Sequence, residues 1–380
     1  MKRLLVAALV AFVLPSLASA QTSYRKTYTD SKQLQVEGTL NAEGKRTGQW
    51  TWWYPDGTMS QQGSYTAGRK TGTWTLYYED GSRMGEECHG TGVSRTWFRN
   101  GDLKSEVNVE DGQRNGLYRS WHSNGRLEEE ATYVDGKRQG ATRQWHRNGQ
   151  LRFEGSYKDD SLHGHAQWWF ANGGTDMEGD FNQGLQNGEW RYFWRTTGKL
   201  GIVGNWYNGT ESGKWTYYYE TGELWREGMC RFGKRQLKWT TYYESGAKLH
   251  EGNYSNGLEE GKWVAWYEDG AVDYEGFFAH GKKDGTWRGL YDDGSTRYEI
   301  HYSLDEKEGE EVRYYPNGQV EIRQHYSDGV LDGSYERFEE NGAPVEKGSF
   351  VDGEKDGKWT WYDGGKEAYT ARFKHGERVK

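Results

Sequence analysis

Residues 274–294 read YEGFFAHGKKDGTWRGLYDDG, and this stretch contains the unit from which the chain is built. It runs from a Tyr-x-Gly segment through a Gly-Lys turn to a Gly-x-Trp segment and then an Asp-Gly turn. The segments between the turns are short and rich in aromatic and β-branched residues, which is typical of strands. The stretch therefore predicts antiparallel strands that are joined by tight turns.

The same pattern recurs along the chain with a period of 24 residues. We number each repeat from the glycine that precedes its aromatic strand (position 0). Eleven of the thirteen intervals between these residues are 24 residues long, and the other two are 20 and 25. The residues at position 0 are Gly48, Gly72, Gly92, Gly116, Gly140, Gly164, Gly188, Gly213, Leu237, Gly261, Gly285, Gly309, Gly333 and Gly357. Residues 24–43 form a degenerate repeat ahead of them.

Each repeat is predicted to contain two strands and two turns. The first turn, here called the Asn-Gly turn, carries Asn-Gly or Asp-Gly in ten repeats, as in Asn317-Gly318. This dipeptide favours a two-residue hairpin with a positive φ at both residues. The second turn, here called the Gly-Lys turn, follows the pattern Gly-Lys-x-x-Gly, as in Gly281–Gly285. A two-residue Asn-Gly turn predicts that positions whose numbers add up to seventeen face each other.

Charged residues support this register. Position 3 should face position 14, and three successive repeats place Arg opposite Glu there. The pairs are Arg95/Glu106, Arg119/Glu130 and Arg143/Glu154, and the repeat at Gly333 reverses the signs with Glu336/Lys347. Opposite charges directly across two strands stabilise a sheet by roughly 0.2–1 kcal/mol. A reversal that keeps the pair indicates that the two positions meet.

Aromatic residues occupy further positions in the same register. The aromatic residue at position 2 should face a glycine at position 15 and cover it, as in Trp215/Gly228. The aromatic residue at position 6 should face an aliphatic residue at position 11, as in Tyr219/Leu224. Position 5 has the opposite parity and should point to the other face of the sheet. It is aromatic in thirteen of fourteen repeats, and Leu290 is the exception.

These patterns predict an all-β fold, an elongated single-layer ribbon of antiparallel β-hairpin repeats with about 28 strands. Gly, Tyr and Trp are abundant (54, 28 and 20 residues) and aliphatic residues are scarce, so aromatic side chains must hold the sheet together. No linker or change in composition interrupts the pattern. We therefore predict one repeat domain, residues 21–380, with about 14 repeats of 24 residues.

The first twenty residues are predicted to be a secretory signal peptide. Lys2 and Arg3 precede a short apolar run, and Ala18-Ser19-Ala20 forms a small-residue cleavage site. The expected location is therefore periplasmic or extracellular. The net charge of −8 becomes more negative without the signal peptide, and no basic stripe is present. Nucleic acid is thus excluded as an expected partner, and no further segment is apolar enough to be transmembrane.

Two cysteines, Cys88 and Cys230, lie about six repeats apart. Two strands per repeat at ~4.8 Å each would separate them by roughly 55–60 Å. A disulfide needs Cα atoms within about 7 Å. The spacing therefore predicts two unpaired thiols.

The chain resembles the MORN (membrane occupation and recognition nexus) repeat, whose pattern is Tyr-x-Gly-x-Trp/Phe-x-x-Gly-Lys/Arg-x-x-Gly. The residues that match it in order are Tyr274, Gly276, Phe278, Gly281, Lys282 and Gly285. Residues 213–228 are similar to the bacterial variant of YwqK-type antitoxin-like proteins. The resemblance covers nearly all of residues 24–380. It implies a hairpin-repeat sheet that acts as a scaffold for proteins and, in some members, lipid.

No catalytic, cofactor-binding or metal-binding constellation is predicted. The chain lacks a Gly-x-Ser-x-Gly elbow, a P-loop, a dinucleotide fingerprint and a His-Glu-x-x-His motif. His163 and His165 flank one glycine, and His122 and His146 share position 6 of adjacent repeats. The latter two would be roughly 10 Å apart, too far for one ion. All four are interpreted as solvated turn and sheet histidines.

Four successive indoles at position 5 form the candidate binding strip: Trp97, Trp121, Trp145 and Trp169. These rings either pack along the sheet as a stabilising layer or bind a partner, because an exposed aromatic strip marks an interaction site. The first functional hypothesis is an exported, non-enzymatic scaffold that binds a protein at the cell envelope. The alternatives are a carbohydrate or cell-wall binding module that uses the strip, and an antitoxin or immunity-like protein.

Overall fold

The computed structural model describes residues 21–379, which form 31 β-strands and no helix. The signal peptide predicted at residues 1–20 lies outside the described residues. Contacts divide the described residues into two compact units, residues 21–161 and 162–379. We call them the N-terminal unit and the C-terminal unit. The single repeat domain of residues 21–380 stays a prediction.

The N-terminal unit contains twelve strands, and each pairs antiparallel with the next. They are β1 (Thr22–Thr27), β2 (Leu34–Leu40), β3 (Arg46–Trp53), β4 (Met59–Thr66), β5 (Arg69–Tyr77), β6 (Arg83–Cys88), β7 (Gly92–Trp97), β8 (Leu103–Glu110), β9 (Gln113–Trp121), β10 (Leu127–Val134), β11 (Lys137–Trp145) and β12 (Leu151–Lys158).

The C-terminal unit follows the same up-and-down topology. Its strands are β13 (Ser161–Trp169), β14 (Thr175–Asn182), β15 (Leu185–Phe193), β16 (Leu200–Tyr207), β17 (Thr210–Tyr218), β18 (Leu224–Arg231), β19 (Lys234–Tyr242), β20 (Lys248–Ser255), β21 (Leu258–Trp266), β22 (Val272–Ala279), β23 (Lys282–Leu290), β24 (Thr296–Ser303), β25 (Glu306–Tyr314), β26 (Val320–Ser327), β27 (Val330–Phe338), β28 (Pro344–Val351), β29 (Glu354–Asp363), β30 (Lys366–Lys374) and β31 (Glu377–Val379). The predicted fold class, an all-β sheet of antiparallel hairpin repeats, is confirmed.

The Asn-Gly turn differs from the predicted two-residue form. In Asn317-Gly318 only the glycine has a positive φ, 81°. The Gly318 amide donates to the Tyr315 carbonyl, and the Tyr315 amide donates to the Gln319 carbonyl. These bonds define a type I turn followed by a glycine bulge. Asn317 is favoured there for another reason, because its side-chain oxygen accepts a hydrogen bond from the Gln319 amide.

The extra residue in this turn makes the strand pairing next to it differ from the predicted pairing. Tyr218 at position 5 faces Leu224 at position 11, so the predicted pairing of Tyr219 with Leu224 is wrong. The bulge shifts the register between Tyr217 and Tyr218. Beyond the bulge the predicted register holds, as in the pairing of Tyr217 with Arg226.

The two-residue geometry occurs at the Gly-Lys turn instead. His280 and Gly281 both have positive φ, 53° and 81°, and they join the paired residues Ala279 and Lys282. Two consecutive residues with positive φ are the signature of a type I′ hairpin. Most repeats therefore use one turn of each type, whereas the last repeat has a second two-residue turn at Gly364-Gly365, where both residues have positive φ.

The predicted charge pairs face each other in the sheet. Arg95/Glu106, Arg119/Glu130, Arg143/Glu154 and Glu336/Lys347 are all direct cross-strand partners. Their closest nitrogen–oxygen distances are 3.5, 2.9, 2.7 and 2.9 Å. The reversed pair is thus a real contact, as its reversal predicts.

The indole at position 2 covers a different glycine from the predicted one. Trp215 and Gly228 are paired, but the ring over Gly228 belongs to Trp239 on the next strand. A Cβ atom on Gly228 would lie 2.1 Å from the Trp239 ring. The Trp239 Nε1 donates to the carbonyl of Met229 at 3.0 Å. Backbone pairing between β18 and β19 skips Gly228, so the indole lies where the ladder opens.

This arrangement recurs and forms the core. The equivalent ring–glycine contacts are Trp50/Gly38, Trp74/Gly63, Trp190/Gly179, Trp215/Gly204, Trp263/Gly252, Trp287/Gly276 and Trp359/Gly348. All eight indoles are at most 7% exposed, although each belongs to a sheet without a helix to cover it. Aromatic residues from neighbouring strands pack at their edges, as Tyr254 does between Trp239 and Trp263. We call this side of each unit the indole-core face.

Candidate functional site

A cation from the Gly-Lys turn covers five of the eight core rings from the solvent side. Lys355 Nζ lies 3.8 Å from the centroid of the Trp359 ring, and Lys283 Nζ lies 4.6 Å from that of Trp287. Arg235 takes the same place over Trp239 at 4.9 Å. These residues stand two positions before position 0. Because cation and glycine enclose the ring, the indole-core face is a structural layer.

The opposite face carries positions 3 and 5 and differs in character. We call it the ion-pair face, because the charged residues at positions 3 and 14 lie on it. The aromatic residues at position 5 are half-buried here. Tyr242, for example, donates from its hydroxyl to Glu227 at position 14 of the preceding hairpin, at 3.4 Å. Aromatic rings and ion pairs therefore alternate on this surface.

Three of the four candidate indoles, Trp97, Trp121 and Trp145, belong to the N-terminal unit. They end β7, β9 and β11, and each is half-buried. Arg95, at position 3 of the first repeat, pairs with Glu106. The same ion pair stands beside each of the other two indoles.

The fourth candidate indole, Trp169, ends β13 in the C-terminal unit and is also half-buried. Its repeat has Gln167 at position 3 and Glu178 at position 14, and these two residues are paired. The ion pair of the other three repeats is therefore replaced here by an uncharged donor opposite a carboxylate.

The indoles of the candidate strip occur in repeats that have no indole in the core. Position 2 in these repeats holds Ser94, Tyr118, Thr142 and Ala166. The glycine beneath the ring is correspondingly replaced by Val107 below Tyr118 and by Ala131 below Thr142, and both pairs face each other. Val107, Ala131 and Thr142 are buried, so the core is filled without tryptophan. These repeats carry their tryptophan on the ion-pair face instead.

A shallow depression lies beside the central indole of the N-terminal unit. It has a volume of about 590 Å³. Trp121 forms one wall, and Asp102, Ser123 and Asn124 supply polar groups. Asn124 donates to the Arg147 carbonyl at 2.8 Å, which fixes its amide.

A second depression, of 360 Å³, lies in the C-terminal unit around Tyr242. Lys214 bonds to Glu227 at 2.8 Å, and Lys238 and Lys248 bond to Glu251 at 2.7 and 2.8 Å. The hydrogen bond to Glu227 raises the pKa of Lys214. Burial alone would raise the pKa of Glu251, but its two lysines outweigh burial and lower it. The charges here largely satisfy one another.

A ladder of hydroxyl groups was not anticipated from the sequence. The phenol at position 6 donates to the carbonyl of position 5 in the next repeat, as Tyr219 does to Tyr242 at 2.8 Å. Tyr54, Tyr243, Tyr267, Tyr291 and Tyr315 make the same bond. The recurring tyrosine before the Asn-Gly turn is the feature of the sequence that could have indicated this ladder. This ladder fixes the backbone behind the position 5 ring.

The histidine side chains make structural contacts within the sheet. His122 occupies position 6, and its Nε2 lies 2.8 Å from the Trp145 carbonyl, as a tyrosine hydroxyl would. His165 lies 3.2 Å from Asp180 across two strands. Within residues 21–379, no group of three or more His, Cys, Asp or Glu side chains is placed to hold a metal ion.

The two cysteines are free thiols. Cys88 is half-buried, and Cys230 is buried in the core cluster of the C-terminal unit beside Trp215 and Trp239. Burial raises the pKa of the Cys230 thiol to about 11, so it stays protonated at neutral pH. Among residues 21–379 there is also no helix of the length and apolarity needed to cross a membrane.

Comparisons with known proteins agree with the repeat pattern. The family model described as "MORN repeat variant" matches residues 46–67, 114–135, 138–159, 211–229 and 307–328. Four of these segments begin at a Gly-Lys turn or beside one and end at the next such turn. The chain has no match among curated proteins.

Among solved structures, the chain is similar to one chain in the crystal structure of TcdB2-TccC3-Cdc42 and one in that of TcdB2-TccC3. Each match has 10% sequence identity and a TM-score of 0.16, and it covers 93% of this chain. The chain spans 23% of the length of those proteins. A TM-score of 0.16 is too low to show a shared fold. The five family matches, together with the hairpins on which they fall, support a MORN repeat protein of the variant type.

Proposed function

We propose that this chain is an exported, non-enzymatic repeat scaffold that binds a protein partner at the cell envelope. The surface that we assign to binding is the ion-pair face of the N-terminal unit around Trp97, Trp121 and Trp145. One observation carries the proposal: three successive repeats present a half-buried indole next to an Arg–Glu pair at the same two positions. Tryptophan and arginine are the residues most enriched at the energetic centres of protein interfaces.

The surroundings of the indoles favour a protein over a sugar. The Arg83 guanidinium lies 4.8 Å from the Trp97 ring centroid and occupies one side of that ring. A stacking sugar needs a bare aromatic face, whereas a protein interface accepts arginine beside tryptophan. Weak contacts at each repeat would add up along a partner that spans several repeats. An immunity or antitoxin-like role would be one version of such binding.

The depression beside Trp121 supports a second candidate, carbohydrate binding. It combines one indole with the polar side chains of Asp102, Ser123 and Asn124. An aromatic wall with a few fixed polar groups is the usual composition of a small-molecule site. A glycan would therefore bind at this depression, while a protein partner would cover all three indoles.

Binding of the purified chain to isolated cell envelope tests both candidates. The envelope is used with and without prior protease treatment, and bound protein is measured after washing. We expect binding that protease abolishes and that Trp121→Ala and Trp145→Ala each weaken by about tenfold. Tyr207→Ala is the matched control, because Tyr207 is an exposed aromatic residue, 66% accessible, in the C-terminal unit.

The outcomes separate the candidates. Binding that survives protease and is released by soluble glycan would replace the protein partner with a carbohydrate. Binding that is unchanged in both indole variants would remove the assigned surface. Circular dichroism of each variant shows whether the sheet is intact. Export is tested separately by fractionating cells and sequencing the N-terminus of the chain, with cleavage after Ala20 expected.

A further inference from the structure

Six Gly-Lys turns of the C-terminal unit form a row that the proposed function does not use. We call it the turn edge, and it consists of residues 231–234, 255–258, 279–282, 303–306, 327–330 and 351–354. Five of these turns expose an apolar side chain: Phe232 (75%), Leu258 (49%), Leu304 (49%), Val330 (45%) and Val351 (37%). Exposed apolar residues that recur at one edge mark an interaction surface.

Neighbouring turns touch, so the row is continuous. A methyl group on Gly281 would lie 3.3 Å from Leu258 Cδ2, and one on Gly353 would lie 3.3 Å from Val330 Cγ1. Both glycines belong to the turn that follows the apolar residue. Two strands separate successive turns, which corresponds to about 9.6 Å. Successive turns of the row are therefore separated by about that distance, and five of the six carry an exposed apolar side chain.

Charge along the turn edge is divided into two halves. The first three turns carry Arg231, Lys234 and Lys282, whereas the last three carry Asp305, Glu306, Asp328, Asp352 and Glu354. All eight residues are exposed. None of the eight forms an ion pair with another residue of the described part of the chain. The charges are thus free to meet a partner with the opposite order.

We propose that the turn edge pairs with the turn edge of a second copy of this chain, in antiparallel orientation about a two-fold axis. Such an interface is self-complementary, because each contact occurs twice. The axis would lie between the turns at 279–282 and 303–306. The turn with Arg231 and Lys234 then faces the turn with Asp352 and Glu354, and Lys282 faces Asp305 and Glu306.

The apolar residues meet in the same alignment. Phe232 faces Val351, and Leu258 faces Val330. Parallel pairing would instead place Arg231 against Arg231 and Asp352 against Asp352, which like-charge repulsion disfavours. The antiparallel order is therefore the one that satisfies both the charges and the apolar side chains.

The area of the proposed contact indicates a weak dimer. Five intervals of about 9.6 Å and a width of about 10 Å correspond to roughly 500 Å² for each copy. The total of roughly 1,000 Å² is at the lower end for specific interfaces. The dimer is accordingly weak and reversible, and it dissociates as salt screens the charges.

Sedimentation equilibrium of the full chain tests the proposal. Concentrations from about 1 to about 200 µM cover the range of weak dimers. Measurements at about 0.1 M and about 1 M NaCl change the screening length from ~10 to ~3 Å. We expect a monomer–dimer equilibrium that weakens at least about tenfold at the higher salt concentration.

Two charge reversals give the sharper test. Arg231→Glu with Lys234→Glu, and separately Asp352→Lys with Glu354→Lys, should each abolish self-association. An equimolar mixture of the two variants should restore it, since both symmetry-related contacts again join opposite charges. The matched control is Arg69→Glu with Lys137→Glu, two residues in Gly-Lys turns of the N-terminal unit, which should leave dimerisation unchanged.

Three results would overturn the proposal. The chain could remain monomeric at the lower salt concentration throughout the concentration range. The mixed variants could fail to associate although each is folded by circular dichroism. The control reversal could weaken association as strongly as the turn-edge reversals. A partner other than a second copy would then have to cover the turn edge.

Discussion

The glycine at position 15 of a repeat is determined by the indole of the next repeat. The rings of Trp239, Trp263 and Trp287 lie so close to their glycines that a Cβ atom would come within 2.1–2.2 Å of ring carbons. The glycine is replaced before two repeats that lack the indole, at Ala131 and Ile300, although Gly155 is kept before Ala166. The requirement for glycine at position 15 is steric and not conformational, because φ at these glycines is not positive.

Gly228→Ala tests that requirement. The new methyl group would overlap the Trp239 ring, which is 4% exposed and has no room to withdraw. We expect a loss of stability of about 1–3 kcal/mol, measured by chemical denaturation. Gly85→Ala is the control, because its nearest neighbour would be an ordinary 3.4 Å away. Equal losses in the two variants would contradict the ring–glycine account.

Glycine at position 0 is required for a different reason. Gly261 and Gly285 have φ near +70°, and no atom lies within 4 Å of the place of a Cβ atom. The requirement is therefore conformational. Leu237 occupies this position in one repeat with φ +58°, and its side chain is 65% exposed. An L-residue pays roughly 1–2 kcal/mol for that conformation.

Leu237→Gly should therefore stabilise the protein, by about 0.5–1 kcal/mol after the entropy of the added glycine is subtracted. The midpoint of chemical denaturation measures the change. Gly261→Ala should shift the midpoint in the opposite direction. If Leu237→Gly lowers stability instead, contacts of the leucine side chain outweigh the backbone strain.

At the scale of the element, one hairpin replaces the indole core with a buried ion cluster. Glu311 stands at position 2 and is fully buried between Lys307 and Arg313, each 2.6 Å away, with Gln324 at 3.1 Å. Ile300 stands opposite it in place of the glycine. The strands of this hairpin remain paired although the ion cluster replaces the indole. Position 2 can therefore be filled either by an indole ring or by a buried ion cluster.

Because Glu311 and Ile300 stand where other repeats have tryptophan and glycine, we expect the effects of substitutions at these two positions on stability to be coupled. Glu311→Trp alone should destabilise the hairpin, because the ring would meet the Ile300 side chain. Ile300→Gly alone should also destabilise it through a cavity. The double variant should be more stable than the sum of the two changes, by about 1–3 kcal/mol in a denaturation cycle. Simple additivity would show that ring and glycine are independent.

The Glu311 cluster also predicts sensitivity to acid. Burial alone would raise the pKa of Glu311, but hydrogen bonds from Lys307, Arg313 and Gln324 outweigh it and lower the pKa below 4.5. A carboxyl whose pKa is lower in the folded state stabilises the fold above pH 4.5, and this contribution is lost as the pH falls through the folded value. The ionised form is therefore the stabilising one.

Glu311→Gln should cost about 2 kcal/mol at pH 7 and progressively less below pH 4.5. Denaturation midpoints of both proteins across this pH range measure the difference. Glu340→Gln, an exposed acid in the Asn-Gly turn of the following repeat, serves as the control. A difference that does not change with pH would show that shape rather than charge holds the cluster.

At the scale of the whole molecule, each compact unit is a chain of nearest-neighbour contacts. Strands pair only with the strands before and after them, so stability should be local. Loss of one core ring should open its own neighbourhood without unfolding the distant repeats of the same unit. This behaviour suits a scaffold, because one surface can keep its shape while another adapts.

Hydrogen exchange of Trp239→Ala tests this locality within the C-terminal unit. A tryptophan removed from a core costs about 3–5 kcal/mol. We expect faster amide exchange in β18, β19 and β20 and unchanged exchange in β27, β28 and β29. Acceleration that is equal in both groups would show that the unit unfolds as one cooperative body.

The amino-acid sequence by itself determined the repeat, the alternation of strands and turns and the cross-strand charge pairs. These features are local, since strand pairing between neighbours follows from a period of 24 residues. Position 5 of the candidate strip was identified for the same reason, with Trp97, Trp121 and Trp145 on the face that carries the ion pairs.

Only the tertiary structure decided which neighbour each side chain touches. The register alone pairs Trp215 with Gly228, but the ladder between the next two strands opens at that glycine and the Trp239 ring lies over it instead. Likewise, Asn-Gly is compatible with two turn types, and the hydrogen bond from the Gln319 amide to Asn317 selects the one with a bulge. A strand has a neighbour on each side, and the sequence pattern does not say towards which of them a ring will lean.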